Sequence, residues 1–221
     1  MDAHLRELER RAELGDVSDR ARLLAERVRV GVLEGESLEL AATLGDPAAC
    51  RALDRAQPAD RFDALAATLP APWQVRLLAA AVELCLPSLE AWLPLEEGPA
   101  RALEALAAWF ERPGEAEALE AQEAGAGAVA REAAGRVTYQ LLPRYEVAML
   151  GRAEITALEY VAWTAHDAAE GPLRCLEGRG PELASALRLA DARAEAGWEA
   201  PGALCRRAGR RAARWVLGGA A

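Results

Sequence analysis

The side chains able to do chemistry are few, and the two histidines come first. His4 sits among charged residues at the start of the chain, and His166 stands in Trp163-Thr164-Ala165-His166-Asp167. On a helical wheel, Glu159, Trp163 and Glu170 share the side of His166, Glu170 one turn ahead and Trp163 about one turn behind. An imidazole flanked by carboxylates has the makings of a general base. The plainer reading is a partly solvated residue at a helix edge. A metal held by His166 and Asp167 would need further histidine ligands. No pair among the cysteines and histidines has zinc-ligand spacing, so no metal is expected.

Other routes to catalysis close in the same way. Ser18, Ser37, Ser88 and Ser185 lie in no G-x-S-x-G elbow and have no SxxK partner. Gly125-Ala126-Gly127 lacks the preceding strand and the following spacing of a dinucleotide loop. Every basic residue is arginine, so neither a Schiff base nor a phosphate-binding lysine is available. The expectation is no catalytic residue, no cofactor and no enzyme.

What remains points to binding. Tryptophan occurs six times and phenylalanine twice. Trp73, Trp92, Trp109, Trp163, Trp198 and Trp215 fall near helix ends or on apolar stripes. Core filling between Ala-rich helices is the default for each, and an exposed one would be a strong contact residue. The last helix separates its sides most sharply. Arg206, Arg207, Arg210, Arg211 and Arg214 fall on one sector, opposite Leu204, Cys205, Ala208, Ala212, Trp215 and Val216. Such a face suits an acidic protein surface, anionic lipid or nucleic acid, or it is simply solvated.

These residues ride on helices. Ile155 is the single isoleucine, and the apolar 52% of the chain is mostly Ala and Leu, both strong helix formers. Helices are read at 2–14, from Ser18 or Asp16 to near Gly31, and at 36–44, with Asp46-Pro47 restarting the chain. Pro58, Pro70 and Pro72 bracket a short helix, and a long apolar one runs from Trp73 to about Trp92, interrupted at Pro87. Further helices are expected at 98–112, 114–141, 152–170, 181–197 and 201–217, with a turn at 144–150 and breaks at Gly171-Pro172 and Gly180-Pro181. The fold class is all-α, an antiparallel array of about a dozen helices. A small N-terminal helical subdomain is set at 1–57, and the main helical domain at 58–221.

The net charge of −9 disfavours nucleic acid as a partner, because phosphate binding needs a basic face. Eight acids lie between Leu95 and Glu123 against Arg101 and Arg112, whereas the chain from Pro201 onward holds five arginines and no acid. That asymmetry suggests two ends that complement each other or meet a partner. Asp2, His4, Arg6, Glu7 and Glu9 interrupt any leader-like apolar run, and no apolar stretch of about 18 residues is present, so a membrane role is not expected. Cys50, Cys85, Cys175 and Cys205 sit in helical apolar patterns and read as free thiols in a reducing cytoplasm.

The segment Leu84-Cys-Leu-Pro-Ser-Leu-Glu-Ala-Trp92, with Glu97-Gly-Pro-Ala-Arg-Ala-Leu-Glu-Ala-Leu-Ala-Ala-Trp109, resembles a family of Ala-rich helical proteins. These are described as immunity proteins of bacterial polymorphic-toxin systems. In that pattern a helix ends in Leu-Pro and an acid precedes an arginine, which opens an Ala/Glu helix ending in tryptophan. A later helix holds a histidine, as Ala162-Trp-Thr-Ala-His166 does here. The charges before Arg101 are reduced to Glu96-Glu97. The resemblance implies a protein that binds and neutralises a toxin or another protein, with no catalytic residue. Arg101, Trp109, Trp163, His166, Arg206, Arg210 and Arg214 are the candidate partner-binding residues. The alternative is a helical scaffold that self-associates into a homo-oligomer. Because no ligand spacing is present, a chelator should leave the helical circular-dichroism signal unchanged. A chelator-induced melt, or stoichiometric zinc by elemental analysis, would contradict this.

Overall fold

The computed structural model describes residues 3–58, 61–85, 97–141, 152–197 and 201–218. The chain is all-α, with twelve helices and no strand among the described residues. In chain order these are α1 (Ala3–Leu14), α2 (Val17–Arg29), α3 (Gly35–Thr43), α4 (Pro47–Ala52), α5 (Phe62–Ala66) and α6 (Ala71–Cys85). They continue with α7 (Glu97–Glu111), α8 (Glu115–Leu141), α9 (Arg152–Ala169), α10 (Gly171–Leu176), α11 (Gly180–Gly197) and α12 (Pro201–Val216). Trp92, Trp198, the interruption at Pro87 and the turn at 144–150 lie outside the described residues.

Caps and turns set the helix ends. Asp16 accepts from the amides of Ser18 and Asp19 at 2.7 and 3.2 Å, and so starts α2. These bonds from Asp19 and Ser18 also hold its carboxyl below the usual range. Asp46 does the same for α4, accepting from Ala48 and Ala49 at 2.9 Å each, with Pro47 in the first helical position. Proline stands within the first three positions of α4, α6, α7, α10, α11 and α12. The first-turn amides of a helix have no partner inside it, so proline loses nothing there. This explains the one added element. Gly171-Pro172 reads in the sequence as a break, yet Pro172 opens α10.

Helix ends share a second device. After α3, Gly45 at φ +84° donates to Ala42 while Asp46 donates to Ala41, the paired bonds that let a chain leave a helix through a left-handed residue. Gly31 after α2 and Gly178 after α10 repeat it. After α4 the same place is held by Asp54 at φ +51°.

The residues divide into two compact units, 1–60 with 209–221, and 61–208. In the first, α2 packs against α1, α3 and α4 around Leu24, Leu38, Ala41, Leu44 and Ala49. Gly209 lies so close to the Leu44 carbonyl oxygen that a Cβ there would collide with backbone. In the second, α9 is the central helix, packing on α6, α7, α8, α10 and α11. Its Tyr160, Val161, Ala165 and Ala169 join Val82, Cys85, Ala102 and Leu204 in one buried cluster. Side-chain bonds lock α5 into this unit. The Phe62 amide donates to Asp191 of α11 at 3.0 Å, and Gln74 donates to the Ala66 and Leu69 carbonyls at 3.0 and 2.9 Å.

Asp54 supplies a local test. A left-handed residue with a β-branched side chain is strained by about 1–2 kcal/mol, whereas Asp tolerates the region and Gly is unstrained there. Asp54→Val should lower stability by about 1 kcal/mol or more, and Asp54→Gly should not lower it. Urea melts of the two variants check this, and equal stabilities would contradict it.

Candidate functional site

His166 is held by helix packing. Its backbone faces Gly125 of α8, where an added Cβ would stand 3.3 Å from the His166 Cα and 2.6 Å from the Ala169 Cβ. Gly125 therefore serves a close crossing of α8 and α9. With Ala162, Ala165 and Ala169 buried on that crossing and in the core, Trp163 and His166 are left at the edge of α9.

At that edge the charges form a chain across three helices. Nδ1 of His166 lies 3.9 Å from Asp167, and Nε2 lies 3.8 Å from Glu170. Asp167 accepts from Arg193 of α11 at 2.7 Å. Glu170 accepts from Arg174 of α10 at 2.8 Å, and Arg174 stands 3.8 Å from Glu182 of α11. Glu182 in turn takes Arg179 at 2.9 Å. Arg193 also lies over the Trp163 ring, 5.8 Å from its centroid, and the Trp163 and His166 rings meet edge to face at 5.8 Å. Sequence spacing places Trp163 and Glu170 beside His166 correctly, while the side chain of Glu159 lies outside the described residues.

The geometry suits cohesion better than proton transfer. Each carboxylate near His166 already takes a guanidinium, and its distance from the imidazole exceeds hydrogen-bond length. Burial alone would raise the Asp167 carboxyl, but the nearby His166 ring, the Arg193 hydrogen bond and the charges of Arg193 and Arg174 outweigh it. Asp167 therefore titrates below its ordinary 3.8. The nearby Cys175 thiol is half-buried and pushed up to about 11 by that burial, which leaves little thiolate for nucleophilic work. No group of three or more His, Cys, Asp or Glu is placed to hold a metal among the described residues.

The other candidate residues lie apart. Arg101 is exposed on α7 and lines a groove of about 440 Å³ with Glu104 of α7 and Glu120 and Glu123 of α8. Trp109 is 3% exposed and belongs to the core, packed by its neighbour Phe110 at 5.3 Å. That placement was readable. Ala102, Ala105, Leu106 and Trp109 make an i, i+3, i+4, i+7 stripe, and all are buried. Trp163, by contrast, is 38% exposed.

On α12, Arg206, Arg210 and Arg214 are exposed at one-turn intervals, and Leu204, Cys205, Ala208, Ala212 and Ala213 are buried. Arg211 is half-buried with its guanidinium 5.9 Å from the Trp215 ring. The sequence signal missed Arg193 and Arg174. Glu170 and Arg174 stand at i, i+4 and could have been paired, but nothing local marks Arg193, 26 residues beyond Asp167. Comparison with protein-family models, with curated proteins and with solved structures finds no match.

Because the Asp167 carboxyl is lowered, its contribution is present above the ordinary carboxylate range and is lost as pH falls through its folded value. Asp167→Asn should lower stability by about 1.5–3 kcal/mol at pH 7, and the gap from wild type should narrow toward pH 3. Urea melts at pH 7, 5 and 3 measure this. A gap independent of pH would show that the Arg193 pair is not its source.

Proposed function

We propose that the chain is a non-catalytic helical module that binds another protein through the arginine row of α12. The observation that carries this reading is the orientation of that helix. Its apolar residues Leu204, Cys205, Ala208 and Ala212 are buried, and Arg206, Arg210 and Arg214 are exposed on the other side. A helix held by one side presents the other as a fixed strip of guanidinium groups, which pair with carboxylates in a bidentate fork. The fitting partner is a protein with an acidic face. Exposed Trp163, with Arg193 across its ring, adds the aromatic and arginine pairing that dominates many interfaces.

The resemblance to immunity proteins of toxin systems supports the same reading and names the partner class, a bacterial toxin in the cytoplasm. Four free cysteines agree with a reducing setting. The arginine pairing of Asp167 and Glu170 favours a structural role for His166 over a catalytic one. No helix of the described residues is long and apolar enough to cross a membrane.

The second reading is a self-associating scaffold. Glu104, Glu111, Glu115, Glu120 and Glu123 are exposed on α7 and α8, an acidic surface within the same chain that α12 of another copy would match. Both readings predict salt-sensitive association, because the Debye length shrinks from about 10 Å at 0.1 M to about 3 Å at 1 M. Reversing Arg206, Arg210 and Arg214 to Glu should preserve helicity and abolish binding. Affinity capture with mass spectrometry identifies the partner, and light scattering across the salt range reports self-association. Association that is indifferent to salt and to the reversal would overturn the arginine row as the binding surface.

A further inference from the structure

The imidazole of His166 stands between two carboxylates, and each keeps one oxygen turned toward it. Asp167 gives Oδ2 to Arg193 at 2.7 Å and leaves Oδ1 at 3.9 Å from Nδ1 of the ring. Glu170 gives Oε2 to Arg174 at 2.8 Å and leaves Oε1 at 3.8 Å from Nε2. Both ring nitrogens therefore face an acceptor that no guanidinium has taken. Nδ1 is enclosed and has no hydrogen-bond partner. The side chain as a whole is 23% exposed, so protons from solvent reach the ring.

The proton count of the ring decides whether these two arms can close. A neutral imidazole carries one N–H and one lone pair. In either tautomer, one ring nitrogen turns its lone pair toward a carboxylate oxygen, and the two repel. Only the imidazolium donates from both nitrogens. Each arm is about 1 Å longer than a charge-assisted hydrogen bond, a gap that a small rotation of the carboxylate closes. Around the ring, α9 supplies Asp167 and Glu170, α11 supplies Arg193 and α10 supplies Arg174. Helix α8 meets His166 through Gly125, while its Glu120 and Glu123 line the groove shared with α7. Helices α6 and α7 meet α9 in the apolar cluster around Tyr160 and Val161. Carboxyl and guanidinium groups ordinarily hold their charge between about pH 5 and 8, whereas an imidazole changes its own there. The nearby Cys175 thiol, pushed up to about 11, stays protonated.

We propose that His166 is a proton-operated clasp across the rim of α9, α10 and α11. On protonation Nδ1 donates to Asp167 and Nε2 to Glu170. The run of ion pairs from Arg193 through Asp167, Glu170 and Arg174 to Glu182 then becomes continuous. Without that proton the run is interrupted at the imidazole. The native state gains two donors by binding a proton, so the added cohesion is present at acid pH and is lost as pH rises. The clasp is internal to the second unit and does not depend on a partner at α12.

Backbone hydrogen exchange of the full chain at about pH 5 and pH 8, corrected for the intrinsic pH dependence of exchange, tests this. In the wild type, protection of the α10 amides should be at least about tenfold greater at the lower pH. His166→Gln cannot titrate and should lose that difference, while its circular-dichroism melt at the higher pH matches wild type. His4→Gln should keep the difference, because the other histidine lies in the first unit. Tryptophan emission supplies an independent readout of the proton. The Trp163 and His166 rings meet edge to face at 5.8 Å, so a charged imidazole should quench Trp163. The emission lost in Trp163→Phe should therefore be smaller at the lower pH in the wild-type background and unchanged in His166→Gln. Quenching with flat protection would overturn the clasp, since the proton would then bind and close nothing. So would protection that rises equally in wild type and His166→Gln.

Discussion

Helices in this protein are set by how little side chain stands between them. Aromatics make up 5% of the chain, and alanine supplies much of both cores, so burial per residue is small and backbones must come close to gain it. The closest approaches are made by glycine. Gly125 meets the His166 backbone, Gly98 meets Ala128 of α8, Gly171 meets Val75 of α6, and Gly209 meets the Leu44 carbonyl. At each of these four places a single methyl group would push helices apart. The cost would fall on dispersion contacts shared by many neighbours.

That constraint decides where the polar residues stand. Since α9 is pressed against α8 along Gly125, the rotation of α9 is fixed and its edge carries Trp163, His166 and Glu170 outward. The ion pairs from Arg193 through Asp167, Glu170 and Arg174 to Glu182 then bind α9, α10 and α11 at their rim, where apolar contact has run out. A half-buried, arginine-satisfied network of this kind contributes orientation more than raw stability. The same logic governs α12. Its small residues take the buried side, so every long cationic side chain that the helix carries is displaced outward or to its flank.

Much of this was legible in the sequence, because punctuation here is strong. Asp16, Gly31, Gly45 and Asp46 mark helix ends through a capping oxygen or a left-handed turn, both of which are local effects. Gly171-Pro172 reads as a stop in the sequence, yet α10 begins there, because the missing amide of proline is harmless in a first turn. Trp109 is a candidate contact residue by type, but its own apolar stripe announces the burial that the structure shows. The pairing of Arg193 with Asp167, the capping of α5 by Asp191 and the grouping of 209–221 with the N-terminal helices join distant stretches of chain. Helical periodicity reports which side of an element is apolar, and it carries no information on which other element covers that side.

The four thiols show what tight alanine packing means for oxidation. Cys50, Cys85 and Cys205 are buried, and Cys50 donates to the Ala42 carbonyl at 3.3 Å. Burial pushes Cys85 up to about 12 and Cys175 up to about 11. Peroxide attack and disulfide exchange both proceed through the thiolate. At neutral pH a thiol at about 11 offers roughly one thiolate in ten thousand, against a few in a hundred for an ordinary cysteine. In the native chain Cys85 and Cys175 would therefore react slowly with oxidants, and unfolding would return both thiols to ordinary reactivity. Mixed-disulfide formation in a stressed cell would then report the loss of helix packing.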